Sequence, residues 1–146
     1  MGQAREVMER ATEAFFAKDF DRLRTLYAPD VVATTPDAGT LNGVDALFEW
    51  NRPLIEAFPD MRYQLTARHE AGDFVVDQGE VIGTHNGPFR LPDGSSIKPT
   101  GKQVRMRSTD MATVRDGKIV QHDFYFDQLD MLTQLGLMEA PATTQT

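Results

Sequence analysis

Residues 104–136, VRMRSTDMATVRDGKIVQHDFYFDQLDMLTQLG, decide the fold, because they contain two alternating runs, a tight turn and a closing helical segment. In both runs the residues at every second position are alike in being polar or apolar, and β-branched and aromatic side chains are frequent, as is typical of strands. Arg115-Asp116-Gly117 lies between the runs and is a hairpin signal. The stretch therefore predicts an antiparallel hairpin followed by a helix.

The length of the hairpin loop determines which residues face each other. A two-residue turn at Asp116-Gly117 would place Met111 opposite His122 and Asp110 opposite Asp123, and it would mix arginines and threonines with phenylalanines on one face. A three-residue loop, with the glycine in a left-handed bulge, shifts the register by one and separates polar from apolar side chains. We therefore prefer the three-residue loop.

In the preferred register Asp110 and His122 are direct cross-strand neighbours on an otherwise apolar face. The members of this face are Val114, Ala112, Asp110, Ser108, Met106, Val120, His122, Phe124 and Phe126. An unpaired charge is costly in such surroundings. We expect that the two groups either pair with each other or serve a ligand that enters a cavity.

The composition excludes several classes of protein. A chain of 146 residues with 40% hydrophobic and 25% charged residues is typical of one soluble globular domain. The net charge of −7 argues against binding to nucleic acids or to anionic membranes. The absence of cysteine excludes disulfides, thiolate metal sites and cysteine nucleophiles. No signal peptide or membrane span is visible in MGQAREVMERATEAFFAKDF, so a cytoplasmic location is the default expectation.

The rest of the chain predicts helices first and strands afterwards. Helices are expected over 3–18, from a cap at Asp19 to Pro29, and over 43–58, where Pro53 predicts a helix start, a kink or two pieces. Strands are expected over 31–35, 61–69 and 74–85, with a long connection over 86–103. We place a single domain at 1–139 and a flexible tail at 140–146. This order predicts an α+β fold in which a curved antiparallel sheet wraps around helices and leaves a cone-shaped cavity.

The faces of the two middle strands differ in clarity. Strand 61–69 alternates cleanly, with Tyr63 on one face and Arg68 on the other. Strand 74–85 has one face that begins with Val75 and contains Asp77, and another that begins with Phe74. Neither face is purely apolar, so the inner one stays open, and we expect Asp77 to be a solvated carboxylate.

Short motifs in order along almost the whole chain resemble the SnoaL-like polyketide cyclases and ester cyclases of the nuclear transport factor two-like superfamily. They are Ala14-Phe15, Ala28-Pro29-Asp30, Gly83-Thr84-His85-Asn86-Gly87, Pro99-Thr100-Gly101-Lys102, Asp116-Gly117-Lys118-Ile119 and Gln134-Leu135-Gly136. The resemblance implies the cone-shaped α+β fold of that superfamily. It also implies an intramolecular aldol ring closure without metal or cofactor, and pairing into a homodimer.

The resemblance places the family's acid/base aspartate two residues after a histidine that matches His122. This sequence has Phe124 there, whereas the neighbouring strand carries Asp110 where the cyclases carry a histidine. We therefore take Asp110 and His122 as a rearranged catalytic pair, and His85 as a third catalytic candidate because family members commonly have a histidine at that position. The candidate substrate-binding residues are Phe15, Trp50, Met106, Ser108, Phe124 and Phe126.

Two functions remain open at this point. The first is a cofactor-independent cyclase, isomerase or lyase that acts by acid/base catalysis on a hydrophobic oxygenated small molecule. The second is a noncatalytic small-molecule-binding or dimerisation domain of the same fold. An epoxide hydrolase with an aspartate–arginine–aspartate set is disfavoured, because Arg105 and Arg107 point away from Asp110 in the preferred register.

Overall fold

The structure is a computed structural model and describes residues 2–91 and 93–139. The expected tail at 140–146 lies outside these residues. The elements are α1 (Gln3–Phe16), α2 (Phe20–Thr25), β1 (Tyr27–Thr35), β2 (Gly39–Asn42), α3 (Val44–Ala57), β3 (Arg62–Ala71), β4 (Phe74–Thr84), β5 (Phe89–Arg90), β6 (Ser96–Ile97), β7 (Gln103–Arg115), β8 (Lys118–Phe126) and α4 (Gln128–Gln134).

A six-stranded sheet with the strand order β2-β1-β8-β7-β4-β3 confirms the predicted α+β fold. All neighbouring strands are antiparallel except β1 and β8, which run parallel. The connection expected over 86–103 contains a small hairpin, β5–β6. No helix in the described part of the chain is long and apolar enough to cross a membrane.

The helical segments differ from their predicted bounds in two places. Asp19 caps α2 by accepting a hydrogen bond from the Arg22 backbone N–H at 3.2 Å, but the helix ends at Thr25, so Tyr27 belongs to a strand rather than to the helix. Pro53 lies inside a single assigned helix, α3, so neither a helix start nor two pieces occurs there. A proline ring removes one helical hydrogen bond, and the packing of a helix face can offset that loss.

The preferred three-residue hairpin loop is wrong. Arg115 pairs with Lys118 across a two-residue turn, and both turn residues, Asp116 and Gly117, have positive φ (52° and 76°), as the tight hairpin turns require. A bulge follows at once and shifts the register between Thr113 and Val114.

The bulge restores the face pattern that the loop was meant to explain. Beyond it Ala112 pairs with His122 and Asp110 pairs with Phe124, so Asp110 and His122 are diagonal rather than direct neighbours. Val120 was predicted on this inner face, but the fully buried Ile119 lies there instead and pairs with Val114. The face predicted for Asp110, His122 and Phe124 is thus correct, although the register that led to it is not.

A second bulge changes the faces of β3. The register shifts between Leu65 and Ala67, so Tyr63 and Arg68 lie on the same face of the sheet despite their odd and even numbers. In β4 the face of Val75 and Asp77 is the inner one, and both residues are buried. The expectation that Asp77 is solvated is wrong, because the bulge brings Arg68 opposite it as an inward-facing partner.

Candidate functional site

A cavity of about 520 Å³ lies between the helices and the inner face of the sheet. This volume is within the range of small-molecule sites, which are mostly apolar with a few converging polar groups. All six side chains proposed as substrate-binding line it: Phe15, Trp50, Met106, Ser108, Phe124 and Phe126. Asp110 and His122 also line the cavity, whereas His85 is not among its lining residues.

Asp110, His122 and Tyr27 form one hydrogen-bonded chain from strand to strand. His122 Nε2 lies 2.6 Å from Asp110 Oδ2, and its Nδ1 lies 2.7 Å from the Tyr27 hydroxyl oxygen. The side chain of His122 is 5% exposed and that of Asp110 is 19% exposed. The imidazole is therefore almost enclosed, while the carboxylate reaches the cavity.

The two partners of His122 together select one tautomer. The Asp110 carboxylate is only an acceptor, so Nε2 carries the proton and donates it. In the neutral ring Nδ1 is then an acceptor for the Tyr27 O–H. Burial, with the nearby charge of Asp110 as a second cause, raises the pKa of Tyr27 well above its ordinary value, so this phenol keeps its proton and acts as a donor.

Aromatic rings hold the imidazole in place on its faces. The ring of Phe124 stacks on that of His122 at 4.0 Å between centroids, and the ring of Tyr27 stacks at 5.8 Å. Trp50 continues the wall at 5.2 Å from Phe124 and 5.9 Å from Phe126. The phenylalanine at the position of the expected aspartate thus packs against the histidine and excludes water from it.

Tyr63 is a further cavity-lining residue with a buried hydroxyl. Its ring stacks on Phe16 at 5.7 Å, and its hydroxyl is buried without a hydrogen-bond partner among residues 2–91 and 93–139. Burial first, and then the charges of Asp110 and Asp77, raise the pKa of Tyr63, whereas the neighbouring Ser108 hydroxyl opposes the shift. Tyr63 is consequently a protonated donor close to Asp110.

Gly79 makes room for the ring of Tyr63. A Cβ at Gly79 would lie 2.8 Å from the Tyr63 hydroxyl oxygen and 2.3 Å from the backbone oxygen of Gln64. Both contacts are shorter than any side chain tolerates, so the position of the Tyr63 hydroxyl depends on this glycine.

His85 anchors the connection beneath the β5–β6 hairpin instead of lining the cavity. Its Nδ1 accepts a hydrogen bond from the Thr100 backbone N–H at 3.2 Å and lies 3.0 Å from the Thr100 hydroxyl. Its ring packs between Phe58 and Phe89. Burial lowers the pKa of His85, which agrees with a neutral ring whose Nδ1 is an acceptor. His85 is thus held between a strand end and the following loop, and it does not line the cavity with Asp110 and His122.

The sequence predicted Asp110 and His122 but missed Tyr27, Tyr63 and Arg68. Tyr27 fits the helical pattern predicted from Asp19 to Pro29, so nothing in the local sequence indicated that it lies in a strand. Tyr63 and Arg68 were assigned to opposite faces, because the bulge at residues 65–67 is not visible in the alternation. The unusual Gly79 in a strand was the available hint that a neighbouring side chain crosses over it.

Comparison with known proteins gives a consistent result. The profile of the family described as SnoaL-like polyketide cyclase matches residues 5–135. No curated protein matches the chain in sequence. A solved structure of IdmH from Streptomyces antibioticus, described as a candidate polyketide cyclase, is 31% identical, with 92% of this chain and 99% of that chain covered and a TM-score of 0.79.

Two further solved structures share the fold. A SnoaL-like polyketide cyclase candidate from a Jannaschia species is 24% identical, with 91% of each chain covered and a TM-score of 0.80. TerC, co-crystallised with polyporic acid, is 20% identical over 92% of this chain and 99% of that chain, with a TM-score of 0.73. From the family match and the likeness to IdmH, together with the six-stranded curved sheet, this chain belongs to the SnoaL-like polyketide cyclase family.

Proposed function

We propose that the protein is a cofactor-free enzyme that moves a proton to and from a carbon next to a carbonyl group in a hydrophobic, oxygenated small molecule. One observation carries this proposal: Asp110 is held by His122 through one oxygen and lines a mostly apolar cavity. A carboxylate in such a place is poorly solvated and fixed in direction, which is what a general base requires.

Asp110 has an oxygen available for this task. Oδ2 binds His122, whereas Oδ1 has no donor among residues 2–91 and 93–139. In the proposed step Oδ1 removes the proton from the substrate carbon, and the C–H electron pair becomes the double bond of an enolate. Negative charge then moves to the former carbonyl oxygen, where a hydroxyl donor of the cavity wall such as Ser108 stabilises it.

The fate of the enolate distinguishes the possible overall reactions. Attack of its carbon on a second carbonyl in the same molecule gives an aldol cyclisation, and return of the proton to a different carbon gives an isomerisation. Loss of a β-hydroxyl gives a dehydration. In each case Asp110, protonated in the first step, is the acid that returns or transfers the proton, so the cycle needs no external oxidant or reductant.

The keto–enol equilibration of benzoylacetone tests this function without knowledge of the natural substrate. This aryl β-diketone combines an apolar ring with an acidic carbon, and its enol absorbs in the ultraviolet. We expect the wild-type protein to accelerate re-equilibration after dilution into water. Asp110→Asn should remove a factor of about 10² to 10⁴ of that acceleration, the usual size of a general acid–base contribution.

Asp116→Asn is the matched control, because it makes the same chemical change at an exposed turn position where asparagine is well tolerated. It should behave as wild type. If the wild-type protein binds benzoylacetone and gives no acceleration over buffer, the enzyme proposal is refuted.

A noncatalytic ligand carrier is the second candidate, and one observation favours it. Both nitrogens of His122 are already bonded within the protein, and Phe124 occupies the position of the family's aspartate. Binding of benzoylacetone with no proton transfer would establish this function.

We also propose that the chain forms a homodimer through the outer face of the sheet, where Phe74 (36%) and Tyr125 (57%) are exposed. A dimer mass by light scattering would support this assembly, and a monomer mass at micromolar concentration would contradict it. A cytoplasmic location remains a prediction from the sequence.

A further inference from the structure

Five polar side chains follow one another across the inner face of the sheet, one from each of five adjacent strands. In the order of the strands β3, β4, β7, β8 and β1 they are Arg68, Asp77, Asp110, His122 and Tyr27. The last three form the proposed site. The first two, Arg68 and Asp77, have no part in the proton transfer described above.

Arg68 and Asp77 form a buried ion pair beside the site. Arg68 Nε lies 2.6 Å from Asp77 Oδ1 and Nη2 lies 2.8 Å from Oδ2, so both carboxylate oxygens are engaged. The side chains are 7% and 1% exposed. Taking two charges out of water costs several kcal/mol per ion, and replacing such a pair with apolar side chains is often neutral or stabilising. Stability alone is therefore a weak explanation for this pair.

The position of the pair suggests a different explanation. Asp77 and Asp110 are direct partners in the β4–β7 register, and their side chains share the inner face. Two adjacent carboxylates in apolar surroundings cannot both stay ionised without a nearby positive charge. Arg68 supplies that charge. Its hydrogen bonds to Asp77, and to a smaller extent the charge of Asp110, raise the pKa of Arg68 and so favour its charged form.

We propose that Asp77 is a positioning residue for the Asp110–His122 pair, and that it acts by holding the guanidinium of Arg68. With Nε and Nη2 of Arg68 held by Asp77, Asp110 is left to bind His122 and to face the cavity. At the same time the positive charge of Arg68 offsets the repulsion between the two adjacent carboxylates. The catalytic part of this inference rests on the proposed function, whereas the positioning of His122 is measurable without turnover.

Loss of Asp77 and loss of Arg68 have opposite electrostatic consequences. In Asp77→Asn the buried guanidinium has lost its anion. Glu9 and Asp110 are the other carboxylates that act on it. Glu9 is exposed, so we take Asp110, which shares the inner face of the sheet, as the replacement that is drawn away from His122. In Arg68→Met two carboxylates face each other without a cation, and one proton is taken up between them. Glu9 of α1 and Tyr63 of β3 are the other titratable groups that act on this array.

The test combines a rate and a spectroscopic signal in three variants: Asp77→Asn, Arg68→Met, and both together. The rate is benzoylacetone equilibration, and the signal is the nitrogen chemical shift of His122, which reports its tautomer and its titration. Asp77→Asn should lower the rate by a factor of about 10 to 100, as loss of an orienting partner does for metal-bound histidines. It should also change the His122 tautomer signal.

The double variant is decisive, because it removes the freed charge as well. It should recover most of the rate lost in Asp77→Asn, and the His122 signal should return towards wild type. The reason is that the unpaired guanidinium of Arg68, rather than the missing carboxylate, lowers the rate. In Arg68→Met the loss of rate should be greatest at acid pH, because the two facing carboxylates have lost their cation. Asp45→Asn, which breaks the exposed Arg24–Asp45 pair, is the control and should change neither readout.

The outcomes separate the two proposals. If Asp77→Asn leaves the tautomer signal and the titration of His122 unchanged, or if the double variant is as impaired as Asp77→Asn, the positioning role is refuted. If the His122 signals respond as described but no variant, Asp110→Asn included, alters the rate, the positioning role stands and the proposed enzyme function fails. If Asp77→Asn does not fold, the rate and the His122 signal of the double variant are compared with those of wild type. The double variant is the better tolerated change, because it replaces the pair with neutral side chains.

Discussion

Tyr27→Phe removes a single oxygen atom from the centre of the polar chain. The ring of Tyr27 is 6% exposed, and phenylalanine keeps its stacking on His122 at 5.8 Å. What disappears is the hydrogen bond of 2.7 Å to His122 Nδ1. Because His122 is only 4% exposed, water does not readily replace the lost donor.

The expected size of the effect follows from this enclosure. A buried acceptor left without a partner costs about 1–3 kcal/mol. For a chain of 146 residues this corresponds to a fall in Tm of roughly 2–10 °C. Urea denaturation followed by circular dichroism should show the lower free energy of unfolding with an unchanged m-value. Tyr125→Phe makes the same chemical change at a residue that is 57% exposed, and as the matched control it should change stability by less than about 0.5 kcal/mol.

The same variant has a signature at high pH. The pKa of Tyr27 is raised in the folded protein, so its contribution to stability is complete below about pH 10, the pKa of a free tyrosine, and is lost as the pH rises beyond it. Wild type should therefore lose stability above pH 10 more steeply than Tyr27→Phe. Equal stability of Tyr27→Phe and Tyr125→Phe, with parallel pH curves, would refute the hydrogen-bonded chain.

Three further predictions concern binding, acid stability and packing. Trp50, the single tryptophan of the chain, lines the cavity, so benzoylacetone should change its fluorescence in a saturable way, and a signal without saturation would place the ligand elsewhere. Burial lowers the pKa of His85, so as the pH falls below about 6.5 His85 binds a proton in the unfolded chain before it does so in the folded protein. Wild type should therefore lose more stability between pH 7.5 and 5.5 than His85→Asn does. Equal losses would contradict the buried, neutral ring. Gly79→Ala should destabilise by about 1–3 kcal/mol through its clash with Gln64 and should shift Tyr63, whereas wild-type stability would mean that β3 lies further from β4 than the structure shows.

The sequence was sufficient for the fold class and for the face on which the site lies. The alternation in the hairpin strands predicted Asp110, His122 and Phe124 on one face of the sheet. This prediction is correct although the loop length was wrong and the bulge was not foreseen, because the two effects together shift the register by an even number of residues. A one-residue error would have turned all three outward. The helix-to-strand order was also enough to predict a sheet that encloses a cavity.

The remaining features depend on long-range contacts that no local pattern encodes. Arg68 faces inward only because of a bulge in β3, and Asp77 is buried only because Arg68 is there to pair with it. Tyr27 starts a strand because β8 offers it a parallel neighbour at Ile119, which is 92 positions further along the chain. Such partners are set by tertiary packing, which overrides local propensity.

Deuterium incorporation into the carbon between the two carbonyls of benzoylacetone tests the central claim most directly. It would be followed by proton NMR in deuterated water, at equal occupancy of the cavity as judged from Trp50 fluorescence. The account predicts that wild type exchanges this position faster than buffer, and that Asp110→Asn loses about 100-fold or more of the enhancement while it still binds the diketone. Exchange by Asp110→Asn at the wild-type rate would show that Asp110 is not the base.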